Sequence, residues 1–400
     1  MITPFRLIAL PVVCIIGGLG FYYARSAFDS EIPLVHVKGI EHNCWYGNEA
    51  QCSVAVTDNY KIGSVFVLLD DKTLVDEPRV QKCQYERKVD LDTSKLTPGR
   101  HTLKIIARDA SRNSNKTEEE RVFFVDTSPL QALLLNAESE FRVSQGKTLH
   151  MQVHSSKELD TIEAEFLLKK YPCVRESAYS NTYECFIPID CDERPQEQLV
   201  KIILTDKVGN QVTLENRCVI SASEFKKQTL AVDDAKVKEE AELGKPQAAL
   251  EQELAEFYKT ASPAKLWQGS FCLPMDVRGV STEFGTLRTT QQRGRYRHNG
   301  IDYVGVPNSV IWAPQSGVVI IKDRYAISGN TVGIYHGLGV ISLFFHLKDF
   351  SAINVGDTIK QGNPVGWMGK TGFAKGDHLH EERRVYNVQV EPGQWTEPNF

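Results

Sequence analysis

The stretch LKIIARDASRN, residues 103–113, returns 97 positions later as VKIILTDKVGN, residues 200–210. Each copy joins an apolar run to an Asp and an Asn-containing turn, the composition of a strand that ends at a tight corner. The period is about the length of one immunoglobulin-like sandwich. Short alternating strands such as GSVFVLLDD (63–71) and EAEFLLKK (163–170) surround both copies. The reading is a mainly β chain with two tandem Ig-like β-sandwiches, residues 30–127 and 128–222. Their cysteines do not superpose under the shift, so disulfides would be additions to each sandwich. Such modules can bind a ligand or space one domain from another, and fold alone does not decide which.

A chain of 400 residues exceeds one hydrophobic core, and 42% hydrophobic with 24% charged residues is a globular composition. The net charge of -5 lacks the basic footprint that phosphates require, so no nucleic-acid partner is expected.

Upstream, LIALPVVCIIGGLGFYYA (7–24) is uncharged and long enough to span a bilayer as a helix. Arg6 before it and Phe21, Tyr22 and Tyr23 at its end suit a transmembrane anchor within residues 1–29, with the N-terminus in the cytoplasm. The competing reading is a cleaved signal peptide. Either places the bulk of the chain in the cell envelope, on the periplasmic side of the cytoplasmic membrane. Beyond Cys14 in the apolar run stand Cys44, Cys52, Cys83, Cys173, Cys185, Cys191, Cys218 and Cys272. Outside the cytoplasm these can form disulfides, and the grouping of four between 173 and 218 favours pairing within that segment.

Residues 223–264 are rich in Ala, Glu, Lys and Leu. They read as a charged helical linker in two pieces, split at Gly244-Lys245-Pro246 because proline removes a helix donor. A solvated connector is the plain interpretation; a cover over a neighbouring active site is the sharper one.

Residues 265–400 read as an antiparallel β domain, with SGVVIIKDRY, NTVGIYHG, GVISLFFHL and HLHEERRV in quick succession. It carries His298, His336, His346, His378 and His380. RHNGIDYVG places His298 four residues before Asp302 around an Asn-Gly turn. His346 ends an apolar strand, and His378 and His380 stand at i and i+2, on one face of a strand. Each feature alone has an ordinary structural explanation, and His336, in an apparent turn, keeps one. Together they match the needs of catalytic zinc: three nitrogen or oxygen ligands, an open fourth position, and imidazoles to carry protons.

The segment from about 270 to 391 resembles the lysostaphin/LytM-type zinc metallopeptidases, which cut peptide bonds in bacterial peptidoglycan. VSTEFGTLR (280–288), HNGIDYVG (298–305), APQSGVV (313–319), YHGLGVISLFFHL (335–347), VGDTIKQGNPVGWMGKTG (355–372) and GDHLHEE (376–382) occur in the family's order. The resemblance implies one Zn2+ held by His298, Asp302 and His380, with His346 and His378 as the two non-ligand catalytic histidines. One departure is Glu381, with Arg383 next on the same face, where the family usually has apolar side chains. The two would pair, or that face would be more exposed.

The expected activity is zinc-dependent hydrolysis of peptidoglycan stem-peptide cross-links for cell-wall remodelling. The alternative is an autoinhibited or non-catalytic envelope protein that docks or regulates other cell-wall enzymes. Expected partners are peptidoglycan, the membrane through the N-terminal helix, and envelope regulators.

Overall fold

The computed structural model describes residues 26–136, 139–229, 239, 242–290, 294–398 and 400, so the apolar segment 7–24 and Cys14 lie outside the described residues. Among the described residues no helix is long and apolar enough to cross a membrane. The protein is mainly β and divides into two compact units.

The first unit ends at Pro129 and takes in Lys207–Asn210. Its backbone is the 18-residue strand Cys52–Leu69. The first half pairs with Leu34–Lys38 and Lys82–Val89; the second pairs with Lys72–Glu77 and Gly99–Asp109, with irregular register around Ile62. In Gly99–Asp109 the buried Leu103, Ile105 and Ala107 alternate with outward Lys104, Ile106 and Arg108. Such alternation seals one face, each fully buried aliphatic side chain contributing about 1.5–3 kcal/mol.

The second unit begins at Leu130 and runs, apart from 207–210, to Phe400. Its first part has two antiparallel-rich sheets, of four and five strands, whose inward side chains share one core from Leu130 to Ile220. The strand Gln196–Asp206 stands 97 residues after Gly99–Asp109 and has the same length. Its second part is an eight-stranded sheet in the order Gly279–Thr282, Ile301–Val304, Leu379–Val385, Val340–Leu347, Gly329–Gly337, Gly317–Tyr325, Thr358–Ile359, with Val388–Val390 beside Leu379–Val385. All its pairings are antiparallel. The two parts meet through Phe186, Trp267, Phe271 and Trp395. Gln394 and Thr148 exchange hydrogen bonds at 2.8 and 2.9 Å, and Lys265 pairs with buried Glu184.

Of the two helical pieces expected in 223–264, the one after Pro246 is present as Gln247–Thr260, while the earlier one falls largely outside the described residues. Lys227–Thr229 is a strand, parallel to Leu287–Thr290. The helix Gln247–Thr260 starts at Pro246 but is no solvated connector. Leu250 and Leu254 are fully buried against Ile321, Tyr325, Tyr335, Ile341, Leu343 and Phe345, with Phe257 partly buried beside them. Their i, i+4 spacing makes an apolar stripe that only tertiary docking satisfies.

That helix covers one face of a sheet whose other face packs into the domain core, so Val340–Leu347 and Leu379–Val385 are buried along their whole length. Of the two readings of Glu381 and Arg383, pairing holds and an exposed face does not. Both are buried and pair at 2.6 Å, and the Arg383 guanidinium lies 4.3 Å from the Phe271 ring centre. A charge on a central strand must carry its counter-ion with it. His336, expected in a turn, lies within Gly329–Gly337, buried between Ser316 O at 2.8 Å and Ser342 Oγ at 2.7 Å. The eight described cysteines are unbonded, with Cys173 and Cys185 both buried in the same core.

Candidate active site

Two neighbouring strands bring the first candidate ligands together. Asp302 on Ile301–Val304 is the direct cross-strand partner of His380 on Leu379–Val385. His298 joins them through the tight turn at Asn299 and Gly300. A Cβ on Gly300 would lie 2.2 Å from Glu381 O and 2.7 Å from His380 Nε2, so only glycine lets the turn approach this closely.

The three side chains converge. Asp302 Oδ1 lies 2.8 Å from both His298 Nε2 and His380 Nδ1, and these nitrogens are 2.9 Å apart. Their outer atoms are also engaged. His298 Nδ1 donates to Glu283 O at 3.1 Å, leaving Nε2 to face inward. His380 Nε2 points toward Glu382 Oε2 at 3.9 Å, and its ring stacks on Phe345 at 5.0 Å between centres. Asp302 Oδ2 accepts from Arg288 Nη2 at 2.8 Å. Orienting partners of this kind fix which ring nitrogen faces a metal.

Burial works against charge on Asp302, yet His298 and His380 hold its carboxyl well below the usual range. Burial lowers His298. Burial also opposes charge on His380, but Asp302 and Glu382 raise it to about 9.

His346 and His378 flank this group, 4.8 Å apart between ring centres. His346 is held with φ +60°, in the left-handed region that costs a non-glycine residue about 1 kcal/mol or more. Its backbone N–H donates to Ser328 O at 2.8 Å and its Nδ1 to Thr371 O at 2.8 Å. Burial, followed by the charges of His378 and His380, pushes His346 down to about 3. It is therefore neutral at pH 7, with Nε2 bare. His378 precedes the strand proper, donates Nδ1 to Gly376 O at 2.9 Å, and brings Nε2 within 3.7 Å of Asp302 Oδ1.

All five side chains line one cleft of about 510 Å³. Sequence reasoning missed three of its contributors. Arg288 buttresses Asp302, and Gln247 and Glu251 carry the helix Gln247–Thr260 to the cleft wall. Glu251 also receives Arg384 at 2.7 and 2.8 Å, and Arg384 pairs with Glu382 behind His380. The 230–238 part of the proposed cover lies outside the described residues.

Residues 296–392 match the profile of peptidase family M23. Over 120 residues the chain is 35% identical to peptidoglycan DD-endopeptidase ShyC of Vibrio cholerae, covering 30% of this chain and 28% of the relative. Over 119 residues it is 37% identical to the DD-carboxypeptidase/endopeptidase Mpg of Neisseria meningitidis, covering 30% and 27%. The chain thus spans under a third of the length of these curated relatives. Among solved structures, the catalytic domain of the prophage-encoded M23 protein EnpA from Enterococcus faecalis aligns at 26% identity and a TM-score of 0.27, covering 32% of this chain and 98% of that one. The C-terminal domain of this chain belongs to peptidase family M23.

Proposed function

We propose that the chain is a zinc-dependent endopeptidase that hydrolyses stem-peptide cross-links of peptidoglycan in the cell envelope. The single observation that carries this reading is the convergence of His298 Nε2, His380 Nδ1 and Asp302 Oδ1 in a cleft flanked by two further histidines. Two imidazoles and a carboxylate are the donor set of catalytic zinc, and the buried, mutually contacting atoms fit such an ion. Zinc bound there would supply a Lewis acid for the scissile carbonyl and lower the pKa of water.

The chain's own groups do the rest. Neutral His346, its Nδ1 committed to Thr371 O, presents a bare Nε2 that takes the proton from the attacking water. His378, its Nδ1 on Gly376 O and its Nε2 turned toward Asp302, donates from Nε2 to the oxyanion of the tetrahedral intermediate in its doubly protonated form. Arg288 keeps Asp302 ionised and correctly turned. The name of the ShyC relative supports peptidoglycan as the substrate class, and the Arg6-led apolar run 7–24 supports a membrane-anchored location. In this reading the two β-sandwiches hold the catalytic domain within reach of the wall.

The test is release of soluble muropeptides from purified peptidoglycan by the full chain with zinc, beside His380→Ala. Cutting by the wild type alone supports the reading, and mass spectrometry of the products names the bond. Zinc-loaded protein that releases nothing from any peptidoglycan chemotype refutes it.

A further inference from the structure

The first unit holds a second convergence of acidic groups, apart from the peptidase chemistry. Asp29, Asp58 and Asp109 each bring one carboxylate oxygen within 4.8 Å of the other two. They come from three separate places: the chain's entry into the unit, the point where the long strand changes partners, and the end of Gly99–Asp109. Asp29 and Asp109 are 6% and 3% exposed.

Part of this cluster is locally satisfied. Asp109 Oδ1 accepts from the Ser111 N–H at 3.1 Å, Ser111 Oγ at 2.8 Å and the Asn115 N–H at 2.9 Å, while its Oδ2 accepts from Asn115 Nδ2 at 2.7 Å. Asp29 Oδ1 accepts from Asn59 Nδ2 at 3.1 Å and the Glu31 N–H at 3.3 Å, and Asp58 Oδ1 accepts from the Tyr60 N–H at 2.9 Å. Asn113 and Asn115 fasten the Asp29 carbonyl at 2.7 and 3.1 Å. Yet Asp29 Oδ2 and Asp58 Oδ2 are buried with no hydrogen-bond partner. An ionised oxygen stripped of water and left unpaired is among the costliest things a fold can hold. Burial, then the Asp109 and Asp29 charges, raises the pKa of Asp58 accordingly.

The internal repeat shows how the same corner is neutralised elsewhere. Ninety-seven residues after Asp29, Asp58 and Asp109 stand Asp126, Ser155 and Asp206. There one carboxylate has become a hydroxyl, and Lys157 Nζ sits 2.7 Å from Asp206 Oδ2 with Lys157 and Asp206 side chains 14% and 1% exposed. The second copy thus carries its cation on the chain. The first copy has Tyr60 at the position of that lysine and a third carboxylate instead.

We propose that Asp29, Asp58 and Asp109 bind one calcium ion, which ties the chain's entry to the first β unit. An all-oxygen donor set selects a hard cation, and carboxylates from three separate stretches of chain suit calcium's flexible coordination better than magnesium's rigid octahedron. Ser155 and Lys157 mark the second copy as calcium-independent.

The test uses the full chain in detergent, stripped with a chelator and reloaded with stoichiometric zinc, then titrated with calcium chloride by calorimetry and by thermal unfolding. The expected result is one calcium per chain and a melting temperature that climbs with calcium. Asp58→Asn and Asp29→Asn each weaken binding about tenfold or more, while His380→Ala leaves it intact. Without calcium the sign reverses, because Asp58→Asn removes one of three crowded like charges and melts higher than the wild type. A wild type indifferent to millimolar calcium overturns the proposal even if a variant fails to fold. So does calcium binding that both Asn variants retain unchanged.

Discussion

Arg288 Nη2 donates to Asp302 Oδ2 at 2.8 Å, while the other oxygen of that carboxylate receives both His298 and His380. Arg288 is thus the back wall of the candidate metal centre, fixing the carboxylate plane and its charge. Arg288→Ala is expected to lower zinc affinity by about 10- to 100-fold with the three ligands untouched. Competition against a zinc chelator measures this, and an unchanged affinity would show that the histidine pair alone orients Asp302.

Gly300→Ala tests the turn that delivers His298. The added methyl meets a backbone carbonyl at 2.2 Å, so either the turn or the Leu379–Val385 strand must shift. Zinc binding should weaken and activity fall by about 100-fold, since a displacement near 1 Å costs that much in a positioned site. Wild-type kcat/KM in this variant would contradict the close approach.

Arg384 is 1% exposed and joins Glu382 to Glu251 of the docked helix. Arg384→Met leaves Glu382 buried without its counter-ion and is expected to cost about 3–5 kcal/mol in urea unfolding. Glu251→Gln, at a half-exposed carboxylate, should cost under about 1 kcal/mol. Equal losses in the two variants would count against this division.

Glu184 supplies a pH dependence. Burial opposes its charge, but His150 and Lys265 bring it from an ordinary 4.5 to about 2. A carboxylate lowered in the folded state stabilises fully above its unfolded value and loses that contribution as pH falls through the folded one. The window is therefore pH 4.5 down to about 2, worth about 3 kcal/mol. Lys265→Met should flatten the stability profile in that window, as thermal melts across pH would read.

The strands of the peptidase sheet are legible in local composition, because apolar and β-branched runs such as GVISLFFHL bury a continuous surface whatever lies beyond them. The histidine pair is legible in its i, i+2 spacing, although only His380 stands on the strand Leu379–Val385 and His378 forms a single bridge with Gly369 before it. Arg288, Glu251 and Lys265 were not legible, because their partners stand 14, 133 and 81 residues away. The 247–260 helix shows the limit within one element. Its Leu250 and Leu254 announce an apolar stripe, but the stripe does not say which surface it covers.

Residues 296–392 are recognisable as an M23 peptidase domain without any coordinates, because the order and spacing of motifs are properties of the chain alone. What each charge means depends on the packing around it. Glu381, Glu382, Arg383 and Arg384 look like a solvated strand in sequence and are a buried, paired set in the fold. The reason is physical: a charge's energy depends on the dielectric and counter-ions around it, and those are supplied by the helix and strands that pack against it.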